Sequence, residues 1–167
     1  MANKKPHLIE LLTRLLDKNV EFIICGGLAS VYHGVERMTM DLDISLNFEK
    51  QNVQRFIDAM KTLKMKPRVP ERPESLLDKE RIEFFIKEKN ALVFTFIDPD
   101  IPFKQIDVFL TKENSYQSII SDTIEINIMN KTTRIVSIKK LIEMKESIEP
   151  IREKDKFDIV ELKKRLS

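Results

Sequence analysis

The fold of this chain is decided by residues 20–46, which read VEFIICGGLASVYHGVERMTMDLDISL. The run from Val20 to Cys25 is short, apolar and partly β-branched, which predicts a buried strand. The adjacent glycines Gly26 and Gly27 end this strand, and apolar residues then resume helical spacing. The DLDISL segment alternates acidic or polar residues with apolar ones, which is typical of a half-buried strand. The stretch therefore predicts a strand, a glycine turn, a helix and a second strand.

The rest of the chain extends this pattern on both sides. Proline-rich residues 67–78 are predicted to form a loop. Because strands and helices alternate early while a late hairpin implies antiparallel pairing, we expect an α/β (α+β) fold with a mixed sheet flanked by helices. One domain over residues 1–167 is expected, with a core at about 6–136 and a helical segment at 137–167. Helices are predicted near 6–18, 28–32, 53–63, 76–87, 137–147 and 152–166, and further strands near 91–97, 105–110, 124–128 and 133–136.

Composition indicates a globular protein of a reducing compartment. Of the 167 residues, 42% are apolar and 34% charged, a balance that argues against a disordered or fibrous chain. The single Cys25 cannot form an intramolecular disulfide, and Glu10 and Arg14 interrupt the apolar stretch that a signal peptide would need. No apolar run approaches the length of about 18 residues that a membrane span requires. A cytoplasmic location without membrane insertion is therefore expected.

Three aspartates are the main candidates for chemistry. Asp41 and Asp43 are two residues apart on a predicted strand, so their carboxylates share one face. Asp107 interrupts the apolar strand Ile106–Phe109, and a buried charge is costly unless it is paired or bound to metal. If the two strands are neighbours, the three carboxylates form a cluster that can hold one or two magnesium ions. The alternative is two solvated aspartates at a strand edge and an ordinary outward-facing Asp107.

The glycine turn is a candidate phosphate site. A helix that begins at Gly26 and Gly27 offers unpaired N–H groups, and the missing Cβ atoms allow phosphate oxygens to approach closely. Arg37 and Thr39 follow before Asp41 and supply a guanidinium group and a hydroxyl near the acidic strand. Two glycines can equally form a plain turn.

These residues resemble a known group of proteins. The string GGLASVYHGVERMTMDLDI at 26–44 is similar to the first signature of the DNA polymerase β-type nucleotidyltransferase superfamily, and QIDVFL at 105–110 resembles its later strand. Within that superfamily the chain resembles the small bacterial AbiEii/AbiGii toxin-type nucleotidyltransferases. Their final pattern is similar to LIEMKESIEPIREKDKFDIVEL at 141–162, although Pro150-Ile151 replaces a small residue and a glycine. The resemblance implies the minimal nucleotidyltransferase fold with C-terminal helices.

The resemblance also implies roles for individual residues. Asp41, Asp43 and Asp107 would bind magnesium, as two ions, and Asp107 would be a candidate base for the acceptor hydroxyl. Gly26 and Gly27 would hold the triphosphate of an NTP, with Thr39 beside them. Arg37 would contact the nucleotide, and Lys145 would face its phosphates.

The expected function is a magnesium-dependent enzyme that transfers NMP from an NTP to an acceptor hydroxyl and releases pyrophosphate. The acceptor could be an RNA 3′ end, a protein or a small molecule, and the resemblance adds a cognate antitoxin as a candidate partner. An alternative is a non-catalytic nucleotide-binding module or an interaction protein of a toxin–antitoxin system. A weaker alternative is RNA binding through residues 131–167, which hold 11 Lys and Arg against 7 Asp and Glu.

Overall fold

One seven-stranded mixed sheet organises the part of the chain described by a computed structural model, residues 6–166. Within these residues the strands are β1 (Phe22–Cys25), β2 (Asp41–Leu46), β3 (Lys66–Pro67), β4 (Val93–Ile97), β5 (Gln105–Phe109), β6 (Thr123–Ile128) and β7 (Lys131–Val136). The helices are α1 (His7–Asp17), α2 (Gly26–Tyr32), α3 (Lys50–Thr62), α4 (Lys79–Lys89), α5 (Tyr116–Ile119), α6 (Ile138–Glu146) and α7 (Glu153–Lys163). The expected α/β class with a mixed sheet is confirmed.

The sheet has the strand order β3-β4-β5-β2-β1-β7-β6. β1 pairs antiparallel with β2 and parallel with β7, and β2 pairs parallel with β5. β4 lies antiparallel beside β5, and β6 and β7 form the late hairpin. The two strands that carry the predicted acids are therefore direct neighbours.

The alternation of side chains separates a packed face from an open face. On β2, Leu42 and Ile44 are fully buried, whereas Asp41 and Asp43 are only partly buried. β4 and β5 show the same alternation, because their buried residues point away from the acids. The residues buried on these two strands are Phe94, Phe96, Ile106 and Val108. The core thus fixes the direction in which the carboxylates project.

The structure corrects the sequence prediction in the middle of the chain. Residues 67–78, expected as a loop, begin inside the two-residue strand β3, which pairs with Phe96 and Ile97 of β4, and include a 3-10 helix at Pro73–Leu77. The helix expected at 76–87 begins instead at Lys79, because Asp78 caps it by accepting hydrogen bonds from the N–H groups of Glu80 and Arg81. The short helix α5 was not predicted.

No helix within residues 6–166 combines the length and the apolar character needed to cross a bilayer.

Candidate active site

The pairing of β2 with β5 brings the predicted acids together. In the parallel register Asp43 lies opposite Asp107, and Asp41 lies opposite Gln105. Because residues two apart on a strand share a face, Asp41, Asp43 and Asp107 all project from the open face of the sheet. The geometric expectation from the sequence, that the third acid stands beside the first two, is met.

The glycine turn lies directly against these acids. Gly26 has a φ of +62°, and a Cβ atom there would lie 1.9 Å from Oδ2 of Asp43. A Cβ atom on Gly27 would lie 2.7 Å from Oγ1 of Thr39 and 3.2 Å from a terminal nitrogen of Arg37. Both glycines therefore permit a close approach between the start of α2 and the residues that carry the candidate chemistry.

A single large cavity contains all the residues that the sequence singled out. Its volume is about 1180 Å³, and it opens between the sheet face, the start of α2 and the segment joining α6 to α7. The predicted site residues that line it are Gly26, Gly27, Arg37, Thr39, Asp41, Asp43, Asp107 and Lys145. The cavity brings together parts of the chain separated by more than a hundred residues.

The carboxylates carry an excess of negative charge. Burial, together with the neighbouring charges of Asp107 and Asp41, raises the pKa of Asp43 to about 6, while the charge of Lys145 opposes this rise. Burial and the charge of Asp107 also raise the pKa of Asp41. Both carboxyl groups therefore lie where an added cation would be stabilising.

The donor set suits a hard divalent cation such as magnesium, which prefers carboxylate oxygens. However, in the described residues no group of three or more His, Cys, Asp or Glu side chains stands close enough to hold a metal ion as arranged. Like charges repel, and a cation bound between the three carboxylates would offset that repulsion. The carboxylate donors and the pairing of β2 with β5 suit a divalent metal. The roles of the three aspartates as metal ligands stay predictions.

Two cations approach the cavity through buried ion pairs rather than as free side chains. Lys145 is 5% exposed, and its Nζ lies 3.2 Å from Oδ1 of Asp155 and 2.9 Å from Oδ2 of Asp158. Arg37 donates from a terminal nitrogen to the same Oδ2 of Asp158 at 2.5 Å. Arg152 donates to the other oxygen of Asp155 at 2.6 Å. The acidic residues of α7 thus hold both predicted phosphate contacts at the cavity wall.

Sequence reasoning missed three polar residues of this region. Thr95 and Gln105 donate hydrogen bonds to Asp107, and Ser30 of α2 donates to Asp158 at 3.4 Å. Ser30 and Gln105 lie within the stretches 26–44 and 105–110 that carry the family resemblance, but neither was given a role there, and Thr95 lies outside those stretches. Alternation along β4 and β5 places Thr95 and Gln105 on the open face, but only the strand register shows that they meet Asp107.

Comparisons with known proteins show the family and the fold of the chain. The sequence model of the protein family described as "Nucleotidyl transferase AbiEii toxin, Type IV TA system" matches residues 10–160. Among solved structures, the lincomycin-bound lincosamide antibiotic adenylyltransferase LnuA is similar in fold, with a TM-score of 0.63 and 17% identity over 96% of each chain. The antibiotic-resistance factor ANT(2'')-Ia matches with a TM-score of 0.61 and 13% identity over 96% of this chain and 83% of its own. No curated protein matches the chain.

Proposed function

This chain belongs to the AbiEii nucleotidyltransferase toxin family, and we propose that it moves NMP from an NTP to an acceptor hydroxyl with the help of magnesium. Membership follows from a match that spans most of the chain, and it confirms the resemblance drawn from residues 26–44, 105–110 and 141–162. The chain is therefore a nucleotidyltransferase. The metal, the acceptor and the roles of single residues are proposals supported by the cavity.

One observation carries the proposal. Three carboxylates from two neighbouring parallel strands share the cavity face on which the Gly26-Gly27 turn also opens. A nucleotidyl transfer needs negative ligands for the metal beside a place where the backbone can approach phosphates, and this juxtaposition supports the proposal.

Asp41, Asp43 and Asp107 are the residues proposed to hold magnesium. Bound there, the metal would supply Lewis-acid stabilisation of the charge that develops on the phosphates. Gly26 and Gly27 would let the triphosphate approach the backbone of α2. The charges of Arg37 and Lys145, held at the cavity wall by Asp158, would add electrostatic stabilisation of the departing phosphates, with Thr39 Oγ1 beside Gly27.

The proposed reaction balances without a further reactant. The acceptor oxygen forms a bond to the α-phosphorus in line with the bond to the β-phosphate oxygen, which breaks. The proton of the acceptor hydroxyl passes to the carboxylate of Asp107, which lies at the far side of the acidic cluster from β1. Pyrophosphate leaves with the electron pair of the broken bond.

The cavity has room for an acceptor beside the nucleotide. Its volume of about 1180 Å³ exceeds the range of roughly 300–1,000 Å³ that is usual for a single drug-sized ligand. Leu92 and Phe109 line it at the end of the β4–β5 pair where Val93 lies opposite Phe109. We place the acceptor beside these two apolar residues, and an RNA 3′ end, a protein hydroxyl and a small molecule are the candidate classes.

The direct test incubates the purified full chain with labelled ATP, CTP, GTP or UTP, magnesium and a cell extract. The proposal expects label from at least one NTP to enter RNA, protein or a small molecule, and Asp43→Asn to abolish the transfer. If no label is transferred, or if the variant transfers as much as the wild-type chain, the proposal is wrong. Calorimetric NTP binding without pyrophosphate release would instead support the non-catalytic module.

A cognate antitoxin is proposed as a partner because the matching family is described as part of a type IV toxin–antitoxin system. The gene neighbourhood tests this. An adjacent antitoxin-like reading frame is the expected result, and a gene without such a neighbour would leave a solitary transferase.

A further inference from the structure

The carboxylate of Asp107 is held at both oxygens by neutral side chains of its own sheet. Thr95 donates from Oγ1 to Oδ1 of Asp107 at 2.5 Å, and Gln105 donates from Nε2 to Oδ2 at 3.1 Å. Oε1 of Gln105 in turn accepts a hydrogen bond from the guanidinium group of Arg68. The orientation of Asp107 is thus set by strand residues rather than by a flexible loop.

The strand register explains why these residues meet. Thr95 lies directly opposite Asp107 in the antiparallel pair of β4 and β5. Gln105 precedes Asp107 by two residues on β5 and therefore projects from the same face. Thr95, Asp107 and Asp43 consequently form one row across three adjacent strands, with the donor at one end and the carboxylates next to it.

Thr95 and Gln105 are both uncharged donors, so Asp107 keeps its full negative charge. An ionised carboxylate offers about four lone-pair sites, so two hydrogen bonds leave about two free. A lysine or arginine paired with Asp107 would neutralise the charge that a divalent cation needs, whereas a hydroxyl and an amide fix the group without adding charge. Asp43, by contrast, faces Gly26 and the neighbouring carboxylates.

We propose that Thr95 and Gln105 are positioning residues that orient Asp107 for metal binding and for the acceptor hydroxyl, an inference that rests on the proposed function. Thr95 is the principal one, since its contact is the shorter and comes from the opposing strand. Partners that orient metal ligands typically contribute 10–100-fold to metal affinity.

The test titrates Mn²⁺ into the purified full chain and measures free Mn²⁺ by electron paramagnetic resonance. Thr95→Val keeps the β-branched shape and removes the donor, so we expect its Mn²⁺ affinity to fall by about 10–100-fold. Thr95→Ser retains the hydroxyl and should bind close to the wild-type chain, while Gln105→Leu should weaken binding. The matched control is Thr132→Val on β7, an exposed strand threonine bonded to Asn127, which should leave affinity unchanged.

Thermal unfolding of every variant accompanies the titration, so that loss of folded protein is separated from loss of affinity. If folded Thr95→Val binds Mn²⁺ as tightly as the wild-type chain, the inference is wrong. It is also wrong if Thr95→Ser binds Mn²⁺ as weakly as Thr95→Val, because packing alone would then explain the effect. If the wild-type chain binds no Mn²⁺, the proposed metal site itself fails and the inference fails with it. The two kinds of failure are therefore distinguishable.

Discussion

Gly26 shows at the residue scale how one missing side chain shapes the site. Its φ of +62° is a left-handed conformation, and the space where a Cβ atom would stand is filled by the carboxylate of Asp43. A left-handed conformation costs a non-glycine residue about 1–2 kcal/mol. Any substitution at Gly26 must therefore accept backbone strain and also displace a proposed metal ligand.

Gly26→Ala is expected to abolish nucleotidyl transfer and to lower the free energy of unfolding by about 1–2 kcal/mol from backbone strain, with displacement of Asp43 adding to the loss. Gly34→Ala is the matched control, because Gly34 also has a positive φ, of +99°, but its missing Cβ faces Arg165 rather than the acids. Urea unfolding and the labelled-NTP assay measure both effects. Full activity in Gly26→Ala would contradict the role given to this turn.

The sequence indicated the candidate site residues but not the side chains that hydrogen-bond to them. The glycine pair and the acids at 41, 43 and 107 were candidates from their pattern, and the resemblance to a known family gave them roles. Thr95 and Gln105 are ordinary strand residues, and they matter only because β4 pairs with β5 in one register. Such pairing is a tertiary property that no local pattern contains.

At the element scale, α6 and α7 form a clamp that holds cations at the cavity wall. Lys145 of α6 bonds to Asp155 and Asp158 of α7, and Asp158 also holds Arg37 from the segment after α2. Removing one partner of a buried ion pair is costly where the other charge is left uncompensated, and here Lys145 and Asp158 each have a second partner. The clamp therefore couples the C-terminal helices to the cavity.

Asp155→Asn is expected to destabilise the chain by about 1.5–3 kcal/mol at pH 7, because it removes the buried carboxylate that accepts hydrogen bonds from Lys145 and Arg152. Lys145 keeps its contact with Asp158, so its charge stays compensated. Burial opposes ionisation of Asp155, but the hydrogen bond and charge of Arg152, together with those of Lys145, outweigh it and hold its pKa below the ordinary value. The stabilisation is therefore fully present above the unfolded pKa of about 3.9 and is lost as pH falls through the lower folded value.

Urea unfolding at pH 7 and at successively lower pH measures this difference. The wild-type and Asp155→Asn curves should converge below about pH 4. Glu153→Gln on the same helix is the control, because its exposed side chain pairs with Lys156 on the protein surface and its change should stay within about 0.5 kcal/mol. A constant gap between wild type and Asp155→Asn at all pH values would refute the ion-pair account.

Long, strongly patterned elements were predicted well and short ones were not. The helix expected at 6–18 is α1 at His7–Asp17, and the strand at 41–46 is β2, because each buries one apolar face of clear period. The two residues of β3 form a strand only because β4 supplies hydrogen-bond partners, and the four residues of α5 are too few for a periodic signal.

At the scale of the whole molecule, the acidic cluster in the cavity lowers the stability of the fold while it supplies the proposed metal ligands. Near-neutral overall charge, +2 at pH 7, hides a local excess of carboxylates that the fold holds together in spite of repulsion. Such clustering lowers the free energy of unfolding. A cation that binds only the native state raises it again, because binding shifts the equilibrium toward the folded chain. The stability of the entire chain should therefore report on the acidic cluster.

Asp43→Asn is expected to be more stable than the wild-type chain by about 1 kcal/mol in EDTA at pH 7. At that pH, above the raised pKa of about 6, the substitution removes a charge that is buried and that its neighbours repel. Added Mg²⁺ should raise the Tm of the wild-type chain and leave that of the variant nearly unchanged. Calorimetric scans with and without Mg²⁺ measure both effects, and Asp58→Asn on the exposed side of α3 is the control. A variant less stable than wild type in EDTA would refute the claim of repulsion.

The most direct measurement is a crystal structure of the chain with Mg²⁺ and a non-hydrolysable NTP analogue. The account predicts oxygens of Asp41, Asp43 and Asp107 at about 2.0–2.1 Å from bound magnesium, with the triphosphate against the Gly26-Gly27 turn and Thr95 still bonded to Asp107. An analogue bound elsewhere, or a metal site that leaves Asp107 out, would contradict it.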